Sequence, residues 1–281
     1  MNSNDPDALG GGPDPATVAT STPEPGSDAE RAVGRRPVHA VGIGPGSPEY
    51  LPPRAERAIR EADVVVGFET VVEYVRGAIG EQAPNEGDAA DGRTTADGPT
   101  GTELLTCGYA DEGETLNTFA RRVENGATGT AVLMGDPNFS GYQFVGKVQR
   151  AVETPVRILP GISSLQVAAS RARTPMEETT FVTLHKSGDI SPDRQRLRET
   201  VGDRHLLVLP RPYDWMPGDV AADLLGAGAS GSLESIVFER LTHDDERVTR
   251  TTLQSLATHA GGSGAEETPF LDLSVLAVRA G

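Results

Sequence analysis

From residue 38 to residue 134 short apolar runs alternate with helical segments, and this alternation restricts the fold more than any other feature. The runs "VHAVGI", "DVVVG", "ELLTC" and "TAVLM" predict buried strands. Between them, "RAERAIREA" places its apolar residues on one helical face, and residues 69–78 and a segment opened by Thr115 also predict helices. A βαβαβαβ order indicates a mostly parallel sheet with helices on both faces.

The second half predicts a mixed α/β domain. Its strand candidates are more closely spaced: "VRIL", "TTFVTLH", "HLLVL", "SIVFER" and "LDLSVLAV", the last alternating as in a half-exposed antiparallel strand. Helices are predicted at about 163–171, 192–200 and 219–225. We expect an α/β fold of two domains, 37–136 and 137–281, with the ligand cleft between them.

Two stretches are expected to lack a core. Residues 1–36 and 81–101 are rich in Gly, Pro, Asp, Ser and Thr, so we expect a disordered acidic tail and a disordered insert. No stretch approaches the roughly 20 apolar residues of a membrane span. The start of the sequence also lacks the basic and apolar segments of a signal peptide, so a cytoplasmic protein without membrane contact is expected.

The charge composition excludes one class of partner. The net charge is −16, and Lys147 and Lys186 are the only lysines among 25 basic residues. Such an acidic, arginine-rich chain suits a salt-rich cytoplasm, and a haloarchaeal source is our hypothesis. Nucleic-acid binding is disfavoured because it needs a broad basic surface. The single cysteine, Cys107, is expected to be a small buried apolar residue, with no metal site.

Three glycine-containing loops are the candidate binding elements. "VGIGPGS" (41–47) follows the first strand, but its spacing is not G-x-G-x-x-G, and Pro45 lacks an N–H, so a dinucleotide-binding turn is disfavoured. Its glycines could equally serve only a tight turn. "MGDPNFSG" (134–141) and "LPGISSLQ" (159–166) also follow predicted strands. Taken singly, Asp136 is equally a turn former or a ligand, and Ser163 is favoured as a helix cap over a nucleophile.

Together these motifs resemble the tetrapyrrole methylase family, S-adenosylmethionine-dependent enzymes that methylate ring carbons of corrin and sirohaem precursors. The resemblance covers about residues 37–281. Within the family, "GIGPGSPEYLPPRAERAIREADVVVG", "SSLQVAASRARTP", "FVTLH" and "VFERLTHDDERVTRTTLQSLA" resemble the branch that methylates C5 of cobalt-precorrin-7. Pro52, where the family commonly has threonine, and "LHKSG", where the branch has glycine after histidine, depart from the pattern.

The resemblance implies a fold and a set of site residues. The fold has two α/β domains with S-adenosyl-L-methionine in the cleft between them. Pro45 and Gly46 would line the tetrapyrrole side, and catalysis would proceed mainly by positioning. His185 is considered as a proton acceptor, but a packed or hydrogen-bonding role is favoured for it. The implied cofactor contacts are Pro45, Gly135, Asp136, Phe139, Ser163, Ser164, Leu209 and Leu241.

A corrin precursor carries several carboxylates, and guanidinium groups match such groups bidentately. The arginines near the motifs are Arg54, Arg57, Arg171, Arg173, Arg211 and Arg240, of which Arg54, Arg171, Arg211 and Arg240 are the predicted substrate contacts. The alternative is that most are solvated or paired with acids, as Arg57 with Glu61 four residues on.

We therefore expect a methyltransferase acting on C5 of cobalt-precorrin-7 in cobalamin synthesis. A separate chain would methylate C15 and decarboxylate, and the subunits would form a homodimer. Uroporphyrinogen III methylation, a protein- or RNA-modifying activity, and non-catalytic nucleotide binding are the alternatives.

Overall fold

The computed structural model describes residues 36–79, 101–108, 111–186, 188–261 and 268–281. The chain divides into two compact units, one ending at Ile162 and the other beginning at Ser163. Apart from Arg36 and Gly101, the stretches predicted to be disordered lie outside the described residues.

The first unit contains a five-stranded parallel sheet in the order β3-β2-β4-β1-β5. The strands are β1 (Val38–Gly42), β2 (Val64–Phe68), β3 (Glu103–Cys107), β4 (Gly129–Leu133) and β5 (Val156–Leu159). The helices are α1 (Pro53–Arg60), α2 (Glu69–Ile79), α3 (Glu112–Glu124) and α4 (Tyr142–Ala151), with one π-helical turn at Pro137–Gly141.

Helices cover both faces of this sheet, as the alternation predicts. Because β1 to β3 progress in one direction across the sheet and β3 to β5 in the other, right-handed crossovers place α1 and α2 on one face and α3 and α4 on the opposite face. Two buried apolar clusters match this arrangement, one containing Val41, Ile59 and Val72 and the other Phe119 and Val148.

The expected domain boundary after Asp136 is wrong. The strand "VRIL" is β5, which pairs with β1 in the first sheet from Val38 opposite Val156. The helix α4 precedes it and was not predicted, although Phe144, Val145 and Val148 give it a buried face. The first unit therefore continues about 25 residues beyond the expected boundary, to Ile162.

The second unit contains a mixed sheet in the order β6-β7-β10-β8-β9, in which only β6 and β7 are parallel. The strands are β6 (Thr179–Thr183), β7 (His205–Leu209), β8 (Glu234–Glu239), β9 (Arg247–Thr252) and β10 (Ser274–Val278). The helices are α5 (Ser164–Ala172), α6 (Ser191–Thr200), α7 (Pro217–Gly226) and α8 (Leu253–Leu256). An apolar cluster that includes Leu197, Leu224 and Leu276 forms its core.

Two strand predictions in this unit need correction. The last strand is antiparallel as expected, but it is central, and all five of its residues are buried rather than half-exposed. The alternating residues Leu271 and Leu273 precede the strand and are exposed. Strand β9 was missed because "RVTRTT" has no apolar face, and it forms a sheet edge with most residues exposed.

Two local predictions can also be compared with the structure. Helix α3 begins at Glu112, three residues before the predicted start at Thr115. Cys107 is buried as predicted, its thiol donates to the Gly67 carbonyl at 3.4 Å, and burial together with Glu112 and Asp111 raises its pKa to about 12. No helix in the described part of the chain is long and apolar enough to cross a membrane.

Candidate functional site

The loops that follow β4, β1 and β5 are neighbours at the carboxyl edge of the parallel sheet. The backbones of Gly44 and Gly135 form two hydrogen bonds, with N···O distances of 2.7 and 3.2 Å, and Ile43 N donates to Leu133 O at 2.9 Å. Since the crossovers from β1 and β4 leave in opposite directions, this edge is a topological switch point, where open α/β sheets bind ligands.

Glycine allows these loops to pack backbone against backbone. A Cβ atom at Gly161 would lie 2.2 Å from Gly135 O and 2.7 Å from Gly42 C, and one at Gly42 would lie 2.5 Å from Gly135 O. Gly44 (φ 91°) and Gly135 (φ 66°) also occupy the left-handed region. Glycine is therefore required at Gly44 by a left-handed turn and at Gly42 by close backbone approach, and this approach brings the three motifs together.

Asp136 is buried and forms the turn after β4. Its Oδ1 accepts hydrogen bonds from Asn138 N at 2.8 Å and Asn138 Nδ2 at 2.7 Å, while Phe139 N donates to Asp136 O at 3.0 Å. The side chain is thus a turn former, as one of the two alternatives proposed. Phe139 is half-buried in the following π-helical turn, and Met134 before it is exposed. Pro45 and Gly46 in the neighbouring loop are buried.

Ser163 caps α5, as the sequence predicts. Its Oγ accepts from Leu165 N at 3.2 Å, and Ser163 N donates to Gln166 Oε1 at 2.7 Å, which completes a capping box. Ser164 is the first helical residue and is half-buried. A role of either serine in cofactor binding remains a prediction.

The second unit also gathers predicted residues at one edge of its sheet. His185 follows β6, Leu209 and Arg211 lie at the end of β7, and Arg240 and Leu241 follow β8. The strand β10 runs antiparallel to β7 and β8 and begins at this edge, where Ser274 lies opposite Glu239. Hydrogen bonds between neighbouring connections join Leu184 N to Leu209 O at 2.8 Å and Arg240 N to Leu273 O at 2.9 Å.

Strained backbone is concentrated at this edge. Arg240 (φ 49°), Thr242 (φ 72°) and Tyr213 (φ 57°) adopt left-handed conformations that are unfavourable for residues with a side chain. Glu246 fixes the connection after β8: its Oε2 accepts from Thr242 N at 2.8 Å, and its other oxygen pairs with Arg171 of α5. Sequence reasoning missed Glu246, because no local pattern indicates a partner 75 residues away.

Three of the four predicted substrate arginines already have partners. Arg171 pairs with Glu246, Arg240 pairs with Asp245 at 2.8 Å, and the Arg211 side chain, 13% exposed, binds loop carbonyls and Asp214. Arg54 is exposed on α1. Arg57 is also exposed on this helix. The ion pair on the helix joins Glu56 to Arg60, and not Arg57 to Glu61 as the sequence alternative has it.

The comparisons with known proteins identify the class. The sequence model of the tetrapyrrole (corrin/porphyrin) methylase family matches residues 37–257, and the chain belongs to this family. It is 25% identical to a probable cobalt-precorrin-7 C(5)-methyltransferase of Methanocaldococcus jannaschii, over 78% of this chain and 91% of that protein. It is 28% identical to an S-adenosyl-L-methionine-dependent uroporphyrinogen III methyltransferase of Methanosarcina barkeri, over 79% of this chain and 85% of that protein.

The fold agrees with solved structures. The precorrin-6Y methylase of Archaeoglobus fulgidus matches with a TM-score of 0.57 and 19% identity, over 87% of this chain and 98% of that chain. The two-unit α/β tetrapyrrole methylase fold, with one parallel and one mixed sheet, is therefore confirmed.

The close approach of the loops predicts how glycine substitutions behave. Gly161→Ala should destabilise the protein by about 3 kcal/mol, the upper end of overpacking, because the atoms that its Cβ would meet belong to the backbone. Gly113→Ala, in α3 with open space around its Cβ, should instead stabilise by roughly 0.5 to 1 kcal/mol. Urea unfolding in concentrated potassium chloride measures both. Equal stabilities of the two variants would contradict the packing described.

Proposed function

We propose that this chain is an S-adenosyl-L-methionine-dependent methyltransferase that acts on C5 of cobalt-precorrin-7 in cobalamin biosynthesis. The observation that carries the proposal is the meeting of the three loop motifs at the β4-β1-β5 edge in a chain that belongs to the tetrapyrrole methylase family. The relative from Methanocaldococcus jannaschii supports the C5 position and the cobalt-containing substrate.

The residues at the edge fit a small zwitterionic cofactor with an aromatic base. In the loop after β4, Met134 and Phe139 lie two residues before and three residues after Asp136, whose carboxylate is buried, and glycine contacts fix the backbone of this loop. An aromatic ring suits adenine, and a nearby carboxylate favours a sulfonium cation. Leu209, Leu241, Ser163 and Ser164 are further cofactor contacts that the resemblance to the family implies.

The bound cofactor supplies an activated methyl group. The protein then has to align that group with an electron-rich ring carbon and keep water away, which needs positioned backbone rather than a catalytic triad. The hydrogen bonds between Gly44 and Gly135 and the turn at Asp136 provide such fixed backbone. Pro45 and Gly46, buried beside them, would face the tetrapyrrole.

The substrate carboxylates require cationic side chains. Arg54 and Arg57 are exposed on consecutive turns of α1, directly after the first loop, and are the strongest candidates. Arg171, Arg211 and Arg240 would have to exchange their present partners for substrate carboxylates. We therefore retain Arg54 as a substrate contact, add Arg57, and assign Arg171 and Arg211 mainly to holding loops in place.

Uroporphyrinogen III methylation is the second candidate. The relative from Methanosarcina barkeri is the observation that favours it, because it is similar over as much of the chain as the C5 relative. The stretches "VFERLTHDDERVTRTTLQSLA", which begins in β8, and "SSLQVAASRARTP", which contains α5, resemble the C5 branch and favour the C5 assignment. A non-catalytic nucleotide-binding protein would use the same loops for a different ligand.

Ligand binding and product mass separate these candidates. Titration calorimetry in concentrated potassium chloride should show binding of S-adenosylhomocysteine and none of ATP, because Pro45 removes an N–H that a phosphate would use. With labelled S-adenosylmethionine, cobalt-precorrin-7 should gain one methyl group and uroporphyrinogen III none. Binding of ATP alone would overturn the enzyme assignment, and methylation of uroporphyrinogen III alone would overturn the substrate.

A separate chain is proposed to methylate C15 and remove the acetate carboxyl group, and this protein is proposed to act as a homodimer. Purified protein given cobalt-precorrin-7 should therefore release no carbon dioxide. Mass spectrometry of the product and measurement of labelled carbon dioxide test this. A product that has lost carbon dioxide would contradict it.

A further inference from the structure

The loop after β4 leads into α4 without a break. The π-helical turn at Pro137–Gly141 is followed directly by Tyr142, the first residue of α4, and Phe139 lies in the middle of the turn. π-Helical turns are rare, because their hydrogen bonds span five residues instead of four, and they occur frequently at functional sites. The position of Phe139 therefore depends on what keeps this turn in the π conformation.

Relaxation of the turn would rotate α4. If the turn adopted α-helical hydrogen bonding and one residue moved out of it, the helix that follows would rotate by about 100°, the angle per residue of an α-helix. Each side chain of α4 would then leave its present neighbour. The contacts on the inner face of α4 consequently select the conformation of the turn.

The apolar contacts on this face specify the rotation only weakly. Phe144, Val145 and Val148 of α4 are buried, and Phe144 packs against Phe68 at the end of β2 with ring centroids 5.3 Å apart. Hydrophobic contacts have no preferred direction, and cores tolerate repacking when the total volume is kept. A rotated α4 could bury much of the same apolar surface.

One ion pair on the same face is directional. Lys147 lies three residues after Phe144, and its ammonium pairs with the carboxylate of Glu112, the first residue of α3. The Glu112 side chain is 10% exposed and the Lys147 side chain is 21% exposed. The dipole of α3 favours a negative charge at its first residue. A rotation of α4 would leave this buried carboxylate without its cation, which is strongly unfavourable.

The surroundings suit a pair that must act in concentrated salt. Besides burial, the Glu112 carboxylate raises the pKa of the Cys107 thiol and the Lys147 ammonium lowers it, so the pair lies close to the end of β3. Salt screens partly buried pairs much less than exposed pairs. Lysine occurs at only two positions in this chain, and its compact ammonium needs less room than the planar fork of arginine.

We propose that Glu112 and Lys147 are positioning residues of the cofactor edge. Their pair selects one rotation of α4, this rotation keeps the preceding turn in the π conformation, and the turn places Phe139 for the adenine ring of the cofactor. The inference rests on the proposed function, because Phe139 is a proposed cofactor contact. All the residues involved belong to the first unit.

The double variant Glu112→Leu/Lys147→Met separates positioning from stability. Apolar side chains of similar size often replace a buried ion pair without loss of stability, so the urea midpoint in concentrated potassium chloride should not fall. The Kd of S-adenosylhomocysteine should rise about tenfold, as it does when the binding-competent state falls to about a tenth of the molecules. An unchanged Kd would overturn the proposal. Failure of the double variant to fold would also overturn it, since the pair would then be required for folding itself.

Glu103→Leu/Arg122→Met is the matched control. Arg122 of α3 donates to Glu103 of β3 from Nε at 2.7 Å and from Nη2 at 3.0 Å, so this pair also joins α3 to a neighbouring element. Glu103 is the first residue of β3 and lies at the edge of the sheet opposite the motif loops. The control should bind S-adenosylhomocysteine with the wild-type Kd. The same rise in Kd in both double variants would rule out a specific role for Glu112 and Lys147.

Kinetics provide a readout that loss of stability would not produce. With whichever of cobalt-precorrin-7 and uroporphyrinogen III the wild type methylates, Glu112→Leu/Lys147→Met should raise the KM of S-adenosylmethionine. Its kcat should change little, because saturating cofactor draws the population back to the competent rotation. Lys147→Arg keeps a cation opposite Glu112 and should have a lower KM than the double variant. A reduced kcat with unchanged KM would contradict the positioning role.

Amide NMR spectra without ligand test the rotation directly. In Glu112→Leu/Lys147→Met the amide signals of Phe139 and Gly141 should be shifted or doubled relative to the wild type, while the signal of Gly126 should stay in place. Unshifted single signals for Phe139 and Gly141 would overturn the inference. This comparison needs no cofactor, so a wild type that binds no S-adenosylhomocysteine would refute the proposed function separately.

Discussion

The contact of three backbones at Gly42, Gly135 and Gly161 is the constraint on which the first unit's binding edge depends. With Cβ approaches of 2.2 to 2.5 Å to a carbonyl oxygen, no residue other than glycine fits at Gly42 and Gly161 without moving the backbone. This contact brings the ends of β4, β1 and β5 together, and it places the Asp136 turn beside the first loop. The glycines therefore build the edge at which we propose that the cofactor binds.

The second unit fixes its edge by charge rather than by close backbone contact. Buried Glu239 accepts hydrogen bonds from Nε and Nη2 of Arg247 and from Leu271 N at 2.9 Å. Glu246 joins α5 to the connection after β8, and Arg211 donates to the carbonyls of Lys186 and Gly188. Guanidinium groups suit these positions because one planar group reaches several oxygens. In a chain with only two lysines, arginines accordingly serve as structural anchors more than as free cations.

Local pattern predicted most elements, whereas pairing partners and exposed strands could not be read from it. The strands around Val41, Val65 and Val132 were predicted because continuous apolar runs indicate burial. Nothing in "VRIL" states that it pairs with β1, more than 100 residues earlier, so the boundary was misplaced. Strand β9 has no apolar face to detect, and the anchoring of His185 depends on Arg211, which is distant in sequence.

We propose that the β4-β1-β5 edge binds the cofactor. Amide NMR spectra recorded with and without saturating S-adenosylhomocysteine in concentrated potassium chloride test it most directly. We predict large chemical-shift changes for the amides of Gly44, Gly135 and Phe139. The amides of Gly113 in α3 and of Gly126, two residues after α3, should change little. Binding that leaves the amides of Gly44 and Gly135 unshifted would contradict it.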